Sequence, residues 1–141
     1  MWGAEAMNER AEVLFANDAF YAAFGSGDLD AMDRLWARDS RVACIHPGWP
    51  ALSGREEVME SWRNILNGDS APEIDCHKAE AFLNGESAFV ICYELVGGDL
   101  LIATNLFVRE EGEWRMTHHQ AGPCSLVPES LGHPEPPASI Q

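Results

Sequence analysis

The sequence predicts an α+β fold in which a strongly curved antiparallel sheet forms a cone-shaped roll around three N-terminal helices. Apolar residues recur at helical spacing through most of the first half of the chain, and then at alternate positions from Glu73 onward. Glycine-containing turns at 84–85, 97–99 and 111–112 divide this second part into four strands. Helices followed by a meander of strands predict one layered domain with a cavity at the open end of the sheet.

The ends of the three helices are marked in the sequence. The first helix is expected over residues 8–24, and the glycines within 25–27 end it. Asp28 can cap a second helix that runs from Leu29 to about Ala37. Ser53-Gly54-Arg55-Glu56 has the capping-box pattern and opens the third helix.

A short strand is expected at 41–46, between the second and third helices. Alternation places Val42, Cys44 and His46 on one face of it, and Pro47-Gly48 then forces a loop. His46 is therefore the last inward residue, at the edge of the cavity. The later strands are expected at residues 73–83, 87–96, 100–110 and 113–121.

Length and composition fit one domain. The chain has 141 residues, of which 46% are hydrophobic and 23% are charged. We expect the domain to occupy residues 1–127 and the proline-rich residues 128–141 to form a flexible tail.

The balance of charge excludes two classes of partner. The 23 acidic residues outnumber the 9 basic ones, which gives a net charge of −14. Nucleic acids and anionic membrane surfaces are recognised by basic patches, so neither is an expected partner. The N-terminus has no apolar run after a basic start, and the four cysteines form no C-x-x-C pair. We therefore expect free thiols and a cytoplasmic location.

Several motifs in this order resemble the nuclear transport factor 2 (NTF2)-like superfamily, in its SnoaL-like and ketosteroid isomerase-like branch. The resemblance covers about residues 8–124, and its members carry out isomerisation, dehydration, cyclisation, hydrolysis, or plain binding and assembly. It implies homodimers that pair through the outer face of the sheet. The motifs are Gly27-Asp28-Leu29-Asp30, Leu35-Trp36-Ala37-Arg38-Asp39, Gly54, His46-Pro47-Gly48-Trp49, Ser61-Trp62, Ala103-Thr104-Asn105 and Trp114-Arg115-Met116-Thr117-His118-His119.

Ketosteroid isomerase is an informative member for comparison. Its general-base aspartate corresponds to His46 when the following proline is matched, or to Cys44 when residues are counted without a gap. Its oxyanion tyrosine corresponds to Phe20, and the neighbouring Tyr21 is expected to face elsewhere. Steroid isomerisation is therefore not expected of this chain.

The histidines carry the candidate chemistry. His46 is the candidate catalytic residue, because an imidazole titrates near neutral pH. Of the adjacent pair His118 and His119, alternation from Trp114 and Met116 points His118 inward, whereas a bulge would reverse the choice.

Other side chains are candidates for binding a ligand. Trp49, Trp62, Tyr93, Asn105 and His118 are expected to line the cavity. Glu94 shares a face with apolar residues and is the one acid able to serve as a buried base, although an exposed position is the favoured expectation.

No cofactor is expected, and no metal is favoured, because the local ligand pairs of a metal site are absent. A zinc site built from His46, His118 and Cys44 is the alternative use of these side chains.

Two functions remain open at this point. The first is cofactor-free proton transfer, as in an isomerase, dehydratase or cyclase, on a small apolar molecule with a polar group. The second is a non-catalytic binding or assembly domain. The strands at 87–96 and 100–108 are apolar on both faces, which favours a homodimer through the sheet in either case.

Overall fold

A computed structural model describes residues 2–68 and 73–125 of the chain. The segment 128–141, expected to be a flexible tail, lies outside the described residues. Within the described ranges the chain forms three helices, α1 Trp2–Ser26, α2 Leu29–Leu35 and α3 Arg55–Leu66. The strands are β1 Ala43–Ile45, β2 Leu52–Ser53, β3 Ile74–Asn84, β4 Ser87–Val96, β5 Asp99–Glu110 and β6 Glu113–Pro123.

The α+β fold is confirmed, but the sheet is mixed rather than wholly antiparallel. Its strand order is β2-β1-β6-β5-β4-β3, in which β3 to β6 form the expected antiparallel meander. β1 pairs in parallel with β6, and the connection between these two strands contains β2, α3 and the strands β3, β4 and β5. β2 was not predicted, since two residues are too few to show a period.

Helix α1 begins at Trp2, earlier than the predicted residue 8, and it carries apolar residues on two sides. Val13 and Phe20 are buried against the rest of the protein, whereas Met7 and Phe15 are exposed by 68% and 76%. The prediction from the sequence used one apolar stripe, which does not show where this helix begins. No helix among the described residues is long and apolar enough to cross a bilayer.

The capping predictions were half right. Asp28 caps α2 by accepting a hydrogen bond from the Ala31 amide at 3.1 Å. The capping box of α3 is wrong: Ser53 belongs to β2, and Gly54 occupies the N-cap position with φ at +89°. Glu57 accepts the backbone N–H of Ser53 at 3.0 Å instead.

The core lies between the helices and one face of the sheet. Phe20, Trp36 and Trp62 from the helical part of the chain are fully buried, as are Phe107 and Met116 from the strands. These large side chains place α1 and α3 on the same face of the sheet, where the polar side chains described below are enclosed.

An irregularity in β6 decides which of its side chains face this core. His118 pairs with Leu106 and Met116 with Phe107, so that Thr117 is an extra residue in the strand. Trp114 and Met116 are buried before it, and His119 and Ala121 after it. The alternation along β6 therefore reverses at Thr117.

Glu110 fastens the connection between α2 and β1 to the sheet. Its carboxylate accepts the backbone N–H groups of Arg38, Asp39 and Ser40, each at 2.9 Å. Desolvation opposes ionisation of Glu110, but these bonds outweigh it and lower its pKa below the usual range.

Glu110→Ala should lower the free energy of unfolding by about 1–2 kcal/mol at neutral pH, because three backbone donors lose a charged acceptor near the surface. Urea unfolding measures the change, with the exposed Glu113→Ala as the matched control. The folded pKa of Glu110 is lowered, so its contribution is present above the unfolded pKa of about 4.5 and is lost as pH falls further. Equal stability of the two variants at neutral pH would contradict this assignment.

Candidate functional site

The structure brings three of the predicted site residues into the interior. His46, Trp62 and Asn105 are all buried, at the end of β1, on α3 and on β5. Trp49 lies at the boundary with solvent, 42% exposed, with its ring 4.8 Å from that of His46. The remaining two, Tyr93 and His118, do not face this interior.

The prediction that His118 points inward is wrong because of the extra residue Thr117. His118 is half-buried, and its Nδ1 lies 2.9 Å from the carbonyl oxygen of Ala43 on β1. That carbonyl can only accept, so His118 donates Nδ1–H and ties β6 to β1. The neighbouring His119 is the histidine that enters the core.

The prediction that Tyr93 lines a cavity with Asn105 is also wrong, because the two lie on opposite faces of the sheet. Cys92 and Glu94 are buried, so Tyr93 between them points to the outer face. There it is half-buried and pairs with Ile102, which is partly exposed.

Glu94 is buried, contrary to the favoured expectation of an exposed acid. It is 2% exposed, and Tyr21 donates its hydroxyl hydrogen to Oε2 at 2.5 Å. Burial raises the pKa of Glu94, and the hydrogen bond from Tyr21 opposes that shift. Tyr21 was expected to face elsewhere, but its hydroxyl points into the core. The sequence signal was the shared face of Glu94 with Val90 and Cys92.

His119 is held by Asn105 on the neighbouring strand. Its Nδ1 lies 2.5 Å from Asn105 Oδ1, while Asn105 Nδ2 donates to Asn17 Oδ1 at 2.8 Å and to Tyr21 Oη at 3.2 Å. The amide hydrogens are thus directed away from His119, so Oδ1 accepts Nδ1–H and Nε2 carries the lone pair. The amide of Asn105 is occupied by protein partners rather than being directed at a ligand.

The lone pair of His119 faces the buried acid. His119 Nε2 lies 3.9 Å from Glu94 Oε2, which is longer than a hydrogen bond. Burial lowers the pKa of His119 to about 3, and the charges of His46 and His118 add to this shift. Burial therefore favours the uncharged form of both side chains, an acid beside a base rather than an ion pair. We call Tyr21, Glu94, Asn105 and His119 the interior polar group.

His46 lies beside the interior polar group, with its ring centroid 6.4 Å from that of His119. Its Nε2 is 2.9 Å from Ser61 Oγ, and Ser61 donates its hydrogen to the carbonyl of Val58 at 2.6 Å. Ser61 must therefore accept Nε2–H, and it is not a nucleophile activated by His46. Burial lowers the pKa of His46 to about 4.

Aromatic rings enclose these side chains. Trp62 packs edge-on against His46 at 4.8 Å and against Phe20 at 5.5 Å. Phe20 on α1 lies 4.9 Å from His119, measured between ring centroids. The cluster therefore has aromatic rings on one side and the side chains of Glu94 and His119 on the other.

The zinc alternative is not supported by the geometry of the described residues. Cys44 Sγ lies 3.7 Å from His46 Nε2, but His118 faces away from both. In the described part of the chain, no three His, Cys, Asp or Glu side chains are grouped as metal ligands. Burial also raises the pKa of Cys44 to about 12, which disfavours the thiolate.

The described surface grooves lie elsewhere. A groove of about 920 Å³ runs between α1, α2 and the β5–β6 turn, where Phe15, Leu35 and Trp114 contribute to its lining. Neither His46 nor the interior polar group lines it. The candidate site is therefore the buried cluster next to Trp49, not this groove.

The two buried histidines should make the protein less stable in acid. Their folded pKa values of about 4 for His46 and about 3 for His119 lie below the unfolded value of about 6.5. The unfolded state then binds more protons below about pH 6.5, and each histidine should remove up to about 1.4 kcal/mol per pH unit as pH falls toward its folded pKa. Urea unfolding from neutral to mildly acid pH checks this.

His46→Gln and His119→Gln should each reduce this proton uptake on unfolding by about one proton. Glutamine keeps a donor for Ser61 at position 46, which limits other losses at that site. Unchanged pH dependence in both variants would show that the buried imidazoles do not have the lowered pKa values.

Comparison with known proteins agrees with this architecture. A family model described as a SnoaL-like domain matches residues 13–124. The F-box protein SKIP8 of Arabidopsis thaliana is 30% identical over 111 residues, which are 77% of this chain and 48% of that protein. The chain thus spans about half the length of that relative.

Two solved structures are similar in both sequence and fold. A candidate dehydratase of the NTF2-like family from Streptomyces avermitilis is 33% identical, with a TM-score of 0.78 over 84% of this chain and 98% of its own. A candidate calcium/calmodulin-dependent protein kinase type II association domain from Thiobacillus denitrificans is 37% identical, with a TM-score of 0.70 over 77% and 92% of the two chains. The chain belongs to the SnoaL-like domain family of the NTF2-like superfamily.

Proposed function

We propose that this domain binds a small, mainly apolar molecule with a polar group and moves a proton on it without a cofactor, as a dehydratase, isomerase or cyclase does. The observation that carries the proposal is the buried acid–base pair of Glu94 and His119, 3.9 Å apart beside an aromatic wall. A buried carboxyl with no basic side chain bonded to it costs stability, and such groups concentrate at functional sites. The 33% identity to a candidate dehydratase favours dehydration within this range.

Dehydration of a β-hydroxy carbonyl compound illustrates the roles. His119 Nε2 takes the proton from the carbon next to the carbonyl, and the electron pair of that bond forms the new carbon–carbon double bond. Glu94, in its protonated form, gives its proton to the hydroxyl, which leaves as water. The resulting imidazolium and carboxylate attract each other, and Tyr21 stabilises the carboxylate through its hydrogen bond.

The raised pKa of Glu94 serves this role, because a general acid must hold its proton closer to neutral pH than an exposed carboxyl does. Trp49 and Trp62 retain their proposed place beside the ligand, one at the solvent boundary and one in the wall. His46, between them, is the second candidate for proton transfer through Nδ1, since its Nε2 is bonded to Ser61.

A homodimer through the outer face of the sheet is the second proposal, and it stands with or without catalysis. Ile102 and Leu106 on this face are each 37% exposed. Apolar side chains from the neighbouring strand extend the surface, and covering them would remove apolar area from water. The 37% identity to a candidate association domain favours assembly. The residues of the face on β4 are Phe89, Ile91, Tyr93 and Leu95.

Glu94→Gln and His119→Gln should each lower the rate of proton transfer by about a hundredfold or more, because each removes one partner of the acid–base pair. The measurement is deuterium incorporation from D₂O next to the carbonyl of small β-hydroxy ketones and their dehydrated products, followed by NMR. Glu86→Gln removes an exposed carboxylate in the β3–β4 turn and should leave the rate unchanged.

His46→Gln separates the two candidate bases. If it abolishes exchange while Glu94→Gln and His119→Gln retain full exchange, His46 is the catalytic residue and the assignment to Glu94 and His119 is wrong. Full exchange in all three variants would remove proton transfer as the function.

Ile102→Glu should convert the dimer to a monomer, because it places a charge in the centre of the apolar outer face. Light scattering at micromolar concentration measures the mass. Phe15→Glu makes the same kind of change on the exposed side of α1, away from the sheet, and should keep the dimer. A monomeric wild-type protein at this concentration would refute the dimer.

A further inference from the structure

We propose that Tyr21 and Asn17 are positioning residues that fix which nitrogen of His119 carries the proton, acting through Asn105. The inference rests on the proposed function only in that it assigns Nε2 as the base. Neither Tyr21 nor Asn17 is hydrogen-bonded to His119 in the described structure. Their effect is therefore indirect, through the orientation of one amide.

The orientation of Asn105 determines the tautomer of His119. With Oδ1 toward His119, Asn105 accepts Nδ1–H and leaves the Nε2 lone pair facing Glu94. With the amide turned over, Nδ2–H would donate to Nδ1, and the proton of a neutral His119 would then lie on Nε2. A ring in that state has no lone pair facing Glu94 and cannot take a proton there.

Tyr21 makes one orientation of the Asn105 amide more favourable than the other. Its single hydroxyl hydrogen is donated to Glu94 Oε2 at 2.5 Å, so toward Asn105 the oxygen can only accept. Asn105 meets this acceptor with Nδ2 at 3.2 Å. An overturned amide would place two acceptor oxygens against each other, which is costly in a buried site. The carboxyl of Glu94 thus helps to set the tautomer of His119 through two intervening residues.

Asn17 adds a second acceptor for the same amide group. Its Oδ1 accepts from Asn105 Nδ2 at 2.8 Å, and its own Nδ2 faces Cys76 Sγ at 3.7 Å. Asn17 is fully buried on α1, so no water competes for this bond. The thiol is a weak acceptor, and therefore Asn17 alone is less decisive than Tyr21.

The direct test is the tautomer of His119 in the protein labelled with ¹⁵N at histidine. Two-bond ¹⁵N–¹H correlations at neutral pH distinguish Nδ1–H from Nε2–H for each imidazole. We expect Nδ1–H for His119 and, as internal references, Nδ1–H for His118 and Nε2–H for His46, whose partners fix them. Finding His119 as Nε2–H in the wild-type protein would overturn the inference without any variant.

Two substitutions that leave His119 in place then test whether Tyr21 and Asn17 act on it through Asn105. Tyr21→Phe removes the hydroxyl, and Asn17→Leu removes the amide acceptor at similar size. Each should give His119 a measurable population of Nε2–H and slow deuterium exchange by about tenfold or more. Asn17→Asp retains an acceptor oxygen and should keep the Nδ1–H form.

The outcomes separate this inference from the proposed function. If Tyr21→Phe and Asn17→Leu fold with reduced stability while His119 remains wholly Nδ1–H, the two residues are only structural and the inference fails. If the tautomer changes as expected but neither the wild-type protein nor its variants exchange deuterium, the positioning role of Tyr21 and Asn17 is confirmed and the proton-transfer function is wrong.

Discussion

The pairing of β5 with β6 is the constraint on which the interior depends. One extra residue, Thr117, reverses the alternation of β6, so that His119 rather than His118 faces the interior. His118 donates to Ala43 and helps to hold β1 parallel to β6, while His119 reaches Asn105 across the β5–β6 pair. If Thr117 paired regularly with Leu106, His118 rather than His119 would lie opposite Asn105, and β1 would lose its side-chain tie to β6.

The interior that results is unusual in its charge. Among the residues that the structure describes, the one buried carboxyl is that of Glu94, which is bonded to a tyrosine rather than to an arginine or lysine. The nine basic residues of the chain all lie at least partly exposed. Burial then favours the uncharged forms of Glu94 and His119, and their partners determine where the hydrogens lie. The same bonds that satisfy buried polar atoms therefore also prepare a proton donor and a proton acceptor.

The order of helices and strands could be predicted because periodicity and glycine turns are local signals. The burial of His46, Trp62 and Asn105 could also be predicted from the sequence, since each lies on a clearly alternating or helical face. The orientation of the histidine pair was not, because a single extra residue in a strand leaves no mark in the pattern.

The burial of Glu94 was not predicted from the sequence for a related reason. Its partner Tyr21 is 73 residues away in the sequence and directly follows Phe20. Local alternation placed Glu94 on an apolar face, but only the tertiary contact explains how a carboxyl is tolerated there.

Of the four tryptophans whose side chains are described, Trp49 alone is exposed, and it touches the ring of His46. A collisional quencher in solution reaches this indole and not Trp36, Trp62 or Trp114, so Trp49 is, among these four, a fluorescent reporter at the boundary of the polar interior.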